Sequence, residues 1–266
     1  MNDNPFFGKI ALITGSGRGI GKAIALHFAR LGADVVINFF RNRQPAEETA
    51  DEIRSLGRQA IVVKADMGTF EGINTLFDQV EQSFGGLDYF ISNAASGYNR
   101  PALQQKPKGW DWTMNINARS LLFASQRAMP LMEKRGGGAI VAISSPGSKR
   151  VLPDYVVVGA SKAALEALVR YLAVELAPHK IIVNAVSPGI VMTDALSHFQ
   201  SFKTIEENIT KIIEQIPTGR MATPEDIAGV VAFLCSPAAR MICGQVITVD
   251  GGQTLPFQGI QLNPSE

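Results

Sequence analysis

Short runs of apolar and β-branched residues recur along the chain at Lys9–Thr14, Asp34–Asn38, Ala60–Lys64, Asp88–Ser92, Ala139–Ser144, Ile181–Ser187 and Gln245–Val249. Each has the length and composition of a strand. Between them, Ile20–Leu31, Ala46–Leu56, Phe70–Phe84, Trp110–Arg135 and Lys162–Ala177 carry apolar residues at helical spacing, and Gly32, Gly57 and Gly85 stand where helices stop. Strands that alternate with helices from end to end, with no linker, repeat or low-complexity tract, predict one α/β domain over 1–266. Its centre is a doubly wound, seven-stranded parallel sheet with helices on both faces. Only 193–218 breaks the rhythm. This polar and aromatic insertion (Ser197, His198, Phe199, Gln200, Phe202) precedes Pro217, and its length predicts a helical lid over a site.

Composition narrows the function. A chain of 266 residues, 46% of them apolar, can bury a sizeable core. Its 25 basic and 24 acidic side chains leave a formal charge of +1, which speaks against a nucleic-acid partner and for small-molecule chemistry. Met1–Phe7 lacks the charged start and apolar run of a leader, and no apolar stretch reaches the about 18 residues of a membrane span. A cytoplasmic protein without a membrane partner is therefore expected. Cys235 and Cys243 make neither a metal site nor a disulfide framework; their proximity leaves a bridge open, but both read as small buried hydrophobes, and no metal is expected.

The strongest motif follows the first strand. Gly15, Ser16, Gly17, Arg18, Gly19, Ile20 and Gly21 form a Gly-rich loop that opens the first helix, so free backbone N–H groups and the helix dipole converge where a pyrophosphate would sit. Strand, loop and helix in that order at the first βα junction predict a dinucleotide-binding Rossmann fold. At the end of the second strand, where an acid commonly holds the ribose diol, the chain reads Asn38-Phe39-Phe40-Arg41-Asn42-Arg43. With the carboxylate missing, Arg18 and Arg41 or Arg43 can grip a 2′-phosphate, which favours NADPH over NADH. Arg43 taken alone is better explained as a solvated loop residue. Asp66 can accept from the adenine amino group, and Asn93, Ala94 and Ala95 leave small residues beside the ribose, although each also suits a turn.

Together with Asn117, Ser144-Ser145, Ser161-Lys162, Ser187-Pro188-Gly189 and Asp250-Gly251-Gly252, these motifs resemble the short-chain dehydrogenase/reductase family over nearly the whole chain. The resemblance implies a cofactor shell that adds Met67, Pro188, Gly189, Ile190 and Thr193, a catalytic set of Ser145, Tyr155, Lys162 and Asn117, and a homotetramer built through the helices 110–135 and 162–177. One position departs from the family's usual arrangement. The tyrosine expected four residues before the lysine is Val158, which has no acidic hydrogen; Tyr155 stands three residues earlier. The Tyr155-x6-Lys162 spacing resembles the enoyl-acyl-carrier-protein reductases, and the stretches 110–117, 131–134, 159–168 and 170–175 resemble their NADPH-dependent type III branch. That resemblance implies reduction of a trans-2-enoyl thioester on acyl carrier protein, with the 193–218 lid over the acyl chain and Lys149, Arg150, Lys203 and Lys211 offered to the acidic carrier. A 3-oxoacyl or other carbonyl reductase, and a non-catalytic dinucleotide sensor, are the alternatives. The histidines 27, 179 and 198 show no ligand or nucleophile spacing, and Trp110 and Trp112 read as packing or interface residues.

Overall fold

Ile10–Ile13 (β1) leads through the Gly-rich loop into Gly19–Arg30 (α1), and Asp34–Phe39 (β2) into Arg43–Ser55 (α2), in a computed structural model that describes residues 4–191 and 209–255. There follow Ala60–Lys64 (β3), Phe70–Phe84 (α3), Tyr89–Ser92 (β4), Pro107–Met114 (α4), Ser120–Glu133 (α5), Gly138–Ile143 (β5), Val156–Leu176 (α6), Ile181–Pro188 (β6), Ile209–Glu214 (α7), Pro224–Cys235 (α8) and Val246–Val249 (β7). All seven strands pair in parallel in the order β3-β2-β1-β4-β5-β6-β7. The order reverses between β1 and β4, so the connections leaving those strands diverge and open a crevice at their C-terminal ends.

Alternate residues of each strand feed opposite faces. Ala11 and Ile13 of β1 join the cluster under α1, α2 and α8, whereas Ile10 and Leu12 join the one under α3, α5 and α6. The expected α/β fold is therefore what the chain adopts, with each expected strand present and its ends shifted by no more than a residue or two.

The helices differ more. α6 starts at Val156 rather than Lys162: three β-branched residues and Gly159 have poor helix propensity, but Val157 and Val158 are buried, and packing outweighs propensity here. The long helix expected over 110–135 starts earlier, at Pro107, and is interrupted by a π-type bulge at Asn115–Arg119. α8 has no counterpart in the hydrophobic reading, although its signature is explicit. Thr223 and Asp226 close a capping box, and Pro224 occupies the first turn. Most of the expected lid, Thr193 and Ser197 to Phe202 included, lies outside the described residues; α7 falls in its last part.

Candidate active site

The crevice is built on Thr14, where β1 meets β4. Its hydroxyl accepts from the backbone N–H of Asn93 and of Ala94, both at 2.9 Å, while the Asn93 amide donates back to the carbonyls of Thr14 (2.8 Å) and Gly15 (3.2 Å). The two loops are thereby stitched together. Gly15 lies at φ 63°, and a Cβ on Gly21 would sit 2.4 Å from the Gly15 carbonyl, so the loop turns this tightly only with glycines. The first turn of α1 holds no acidic residue and Arg18 gives no side-chain cap, which leaves the helix N-terminus open to an anion. These features fit the pyrophosphate of a dinucleotide.

At the ribose end Asn38 is a structural brace. Its Oδ1 accepts from Gly15 N–H at 3.1 Å and its amide donates to the Ala65 carbonyl at 3.1 Å, tying the ends of β1, β2 and β3 together. Arg18 and Arg41 are exposed at the rim, and the Arg41 guanidinium lies 6.0 Å from the centre of the Trp112 ring. Arg43 turns to Glu47 at 2.8 Å, as a solvated helix residue does. Asp66 closes its own turn by accepting from Gly68 N–H at 2.8 Å, and Met67 is buried beside it. Across the crevice, Pro188 ends β6, Gly189 N–H donates to the Val249 carbonyl at 2.9 Å, and Ile190 N–H to the Gln253 side chain at 3.3 Å. The loop after β6 is thus pinned to β7 and the turn that follows it; Thr193 lies outside the described residues.

The second half of the site gathers where β5 ends. Tyr155 is the N-cap residue of α6, and its hydroxyl lies 3.4 Å from Ser145 Oγ. Asp154, just before it, takes the left-handed conformation (φ 58°), and its carbonyl accepts from Arg100 N–H at 2.8 Å. Burial pushes the Tyr155 hydroxyl above its ordinary value, opposed by the Ser145 hydrogen bond. Val158 is buried and packed so closely on Gly97 that a Cβ there would lie 2.2 Å from Val158 Cγ2. Lys162 is buried below, donating to the Ile143 carbonyl at 2.7 Å. Its amine is lowered to about 8 by burial, partly offset by the carboxylate of Glu166.

Asn117 sits in the π-type bulge. Its Oδ1 accepts from Ser96 N–H at 2.8 Å, and its amide donates to the Ser96 carbonyl and to Ser161 Oγ, both at 2.9 Å. It braces the loop after β4 against the residue next to Lys162. Sequence reading missed three contributors. Trp112, taken for packing, donates its indole N–H to Ser96 Oγ at 2.7 Å and faces Arg41. Ser96 joins both networks. Glu166 is buried although charged, and its place one turn after Lys162 on an otherwise apolar helix stretch was the signal for it. Among the described residues no group of three or more His, Cys, Asp or Glu can hold a metal ion, and no helix is long and apolar enough to cross a membrane. Both cysteines are free, Cys235 buried and Cys243 half-buried.

Residues 15–254 match the family model described as enoyl-(acyl carrier protein) reductase. The chain is 40% identical over 247 residues to 1-cyclohexenylcarbonyl-CoA reductase of Streptomyces collinus, across 93% of this chain and 87% of that protein. It is 38% identical over 254 residues to hydroxynaphthalene reductase-like protein Arp2 of Metarhizium anisopliae, across 92% and 94%. Among solved structures it is similar to 7α-hydroxysteroid dehydrogenase complexed with NADH and 7-oxo glycochenodeoxycholic acid, with a TM-score of 0.87 and 36% identity over 95% of this chain and 97% of that one.

Proposed function

The chain belongs to the short-chain dehydrogenase/reductase family of oxidoreductases, and from that premise we propose that it reduces the carbon–carbon double bond of a 2-enoyl thioester with NADPH. The observation that carries this reading is the Tyr155 hydroxyl beside Ser145 at the head of α6, with the position four residues before Lys162 filled by a buried valine. A ketone takes hydride at the carbon whose oxygen gains the charge, so its proton donor must lie close to the hydride. An enoyl thioester takes hydride at the β-carbon and gathers charge on the thioester oxygen, at the far end of the conjugated system. A phenol set back from the usual slot suits the second geometry.

When bound, the reduced nicotinamide supplies the hydride. Tyr155 keeps its proton and hydrogen-bonds the thioester oxygen, which stabilises the enolate as it forms; a proton from water then adds to the α-carbon as the carbonyl re-forms, which completes the saturated thioester. Ser145 holds the phenol, Lys162 binds the nicotinamide ribose and adds positive charge nearby, and Asn117 fixes the backbone around them. Arg18 and Arg41, with no acid at the end of β2, support NADPH over NADH. The relative from Streptomyces supports the substrate class, since 1-cyclohexenylcarbonyl-CoA is itself a thioester conjugated to an alkene. We extend the proposal to acyl carrier protein as the natural thiol, docking near Lys149, Arg150 and Lys211; Lys203, the fourth expected cation, lies outside the described residues. A homotetramer is proposed through the long helices, where Tyr171 and Val174 of α6 are 70% and 76% exposed.

Carbonyl reduction is the second reading, favoured by the steroid dehydrogenase and the hydroxynaphthalene reductase-like relative. Crotonyl-CoA and acetoacetyl-CoA assayed side by side, each with NADPH and NADH, separate the two. Turnover of crotonyl-CoA with NADPH is expected; turnover of acetoacetyl-CoA alone overturns the proposal.

A further inference from the structure

Glu166 is a carboxylate inside the molecule that the chemistry above does not use. It lies one turn beyond Lys162 on α6 and is 4% exposed. Its Oε1 accepts from Ser144 Oγ at 2.7 Å and from Ser148 Oγ at 2.6 Å. Those serines bracket Ser145, whose own hydroxyl faces Tyr155. Ser144 is also held from the other side, its N–H donating to the Val186 carbonyl of β6 at 2.7 Å. A buried carboxylate needs hydrogen bonds and countercharge, because burial strips away the water that would otherwise stabilise it. The hydrogen bonds come from the two serines. The countercharges are Lys149 Nζ, 4.0 Å from Oε2, and the Lys162 ammonium on the same helix face.

We propose that Glu166 is a positioning residue for the Tyr155–Lys162 pair: it clamps both ends of the Ser144–Ser148 segment that carries Ser145, and it supplies the buried countercharge for the Lys162 ammonium. The inference rests on the reading of Tyr155 and Lys162 as the reacting pair.

The surroundings leave this charge to Glu166. The turn after β5 brings Lys149 and Arg150 to the cavity that Glu166 lines, β6 and β7 bring the neutral hydroxyls of Ser187 and Thr248, and Thr254 follows β7. Towards Lys162, β5 presents the Ile143 carbonyl, the bulge presents neutral Asn117 by way of Ser161, and Tyr155 is the titratable group at the head of α6. Burial favours the neutral amine of Lys162, and Glu166 opposes it.

Glu166→Gln keeps the shape and a carbonyl oxygen for both serines and removes only the charge. With crotonyl-CoA and NADPH, the basic limb of its kcat/KM profile is expected about one pH unit below that of the unmodified protein, and Glu166→Asp is expected to return it most of the way. A second readout needs no cofactor. A lysine held at about 8 binds fewer protons folded than unfolded between about 8 and its ordinary 10.5, so its contribution to thermal stability rises with pH across that window. In Glu166→Gln the rise starts at lower pH. Identical limbs and identical onsets in the two proteins overturn the proposal. If the unmodified protein reduces no enoyl thioester, or Tyr155→Phe leaves turnover intact, the reacting-pair reading fails instead, and the thermal onset still decides the role of Glu166. Should Glu166→Gln not fold, the double variant Ser144→Ala, Ser148→Ala removes the clamp and leaves the carboxylate. A fall in kcat with unchanged NADPH affinity supports the proposal, and an unchanged kcat overturns it.

Discussion

Tyr155 stands three residues before the family's usual tyrosine position, and in the fold it is the residue from which α6 begins. Its phenol then stands against Ser145 rather than in solvent. Replacing Tyr155 with Phe removes one oxygen and is expected to lower kcat for crotonyl-CoA by at least about 100-fold, with an unchanged circular dichroism spectrum. Undiminished turnover removes Tyr155 from the chemistry. Lys162 sets the alkaline limit: its ammonium is present below about 8 and lost as pH rises through that value, so kcat/KM is expected to fall above about pH 8. In the proposed reading Arg41 carries the coenzyme preference. Arg41→Ala takes a charge-assisted contact from the 2′-phosphate, for about 1.5–3 kcal/mol, and should raise the KM for NADPH about 10-fold or more while leaving that for NADH in place. Equal changes for both coenzymes refute the assignment.

Helices show where local sequence rules hold and where packing overrides them. α8 obeys the rules: Thr223 Oγ1 accepts from Asp226 N–H at 3.2 Å, and the Asp226 carboxylate accepts from Thr223 N–H at 2.8 Å. Thr223→Ala is expected to cost about 1 kcal/mol, measured by denaturant unfolding, because it removes the side-chain acceptor of this cap. α6 breaks them. Val156, Val157, Val158 and Gly159 are poor helix formers, yet Val157 and Val158 are 2% and 4% exposed, so the apolar surface they bury holds the first turn in place. That turn sets the register between Tyr155 and Lys162. The π-type bulge works similarly: Asn117 lies in the irregular turn, and its amide reaches Ser96 and Ser161 together. No spacing rule announces such a bulge, because it answers to partners on other elements.

At the scale of the whole molecule, the alternation of strands and helices, the Gly-rich loop and the serine–lysine spacing were legible from the sequence, since each depends on neighbours along the chain or on a period of a few residues. The brace at Asn38 was not. Its position read as a missing carboxylate, whereas the fold uses its amide to hold three strand ends. Nor were the clamp at Glu166 and the contact of Trp112 with Arg41, whose partners lie 22 and 71 residues away in sequence. The doubly wound order also fixes the site: a Cβ at Gly21 would strike the Gly15 carbonyl and the Asn93 amide, so Gly21→Ala is expected to weaken NADPH binding severely in a fluorescence titration while the strands stay formed. Sequence by itself determined which segments become strands and helices and which loop leaves its backbone N–H groups open at a helix start, because backbone conformation and hydrophobic period are local properties. Only the tertiary structure decided which tyrosine meets which serine, which cation is buried with which acid, and how a valine fills the usual tyrosine position. Those outcomes depend on burial and close approach between residues far apart in the chain, and no local pattern encodes them.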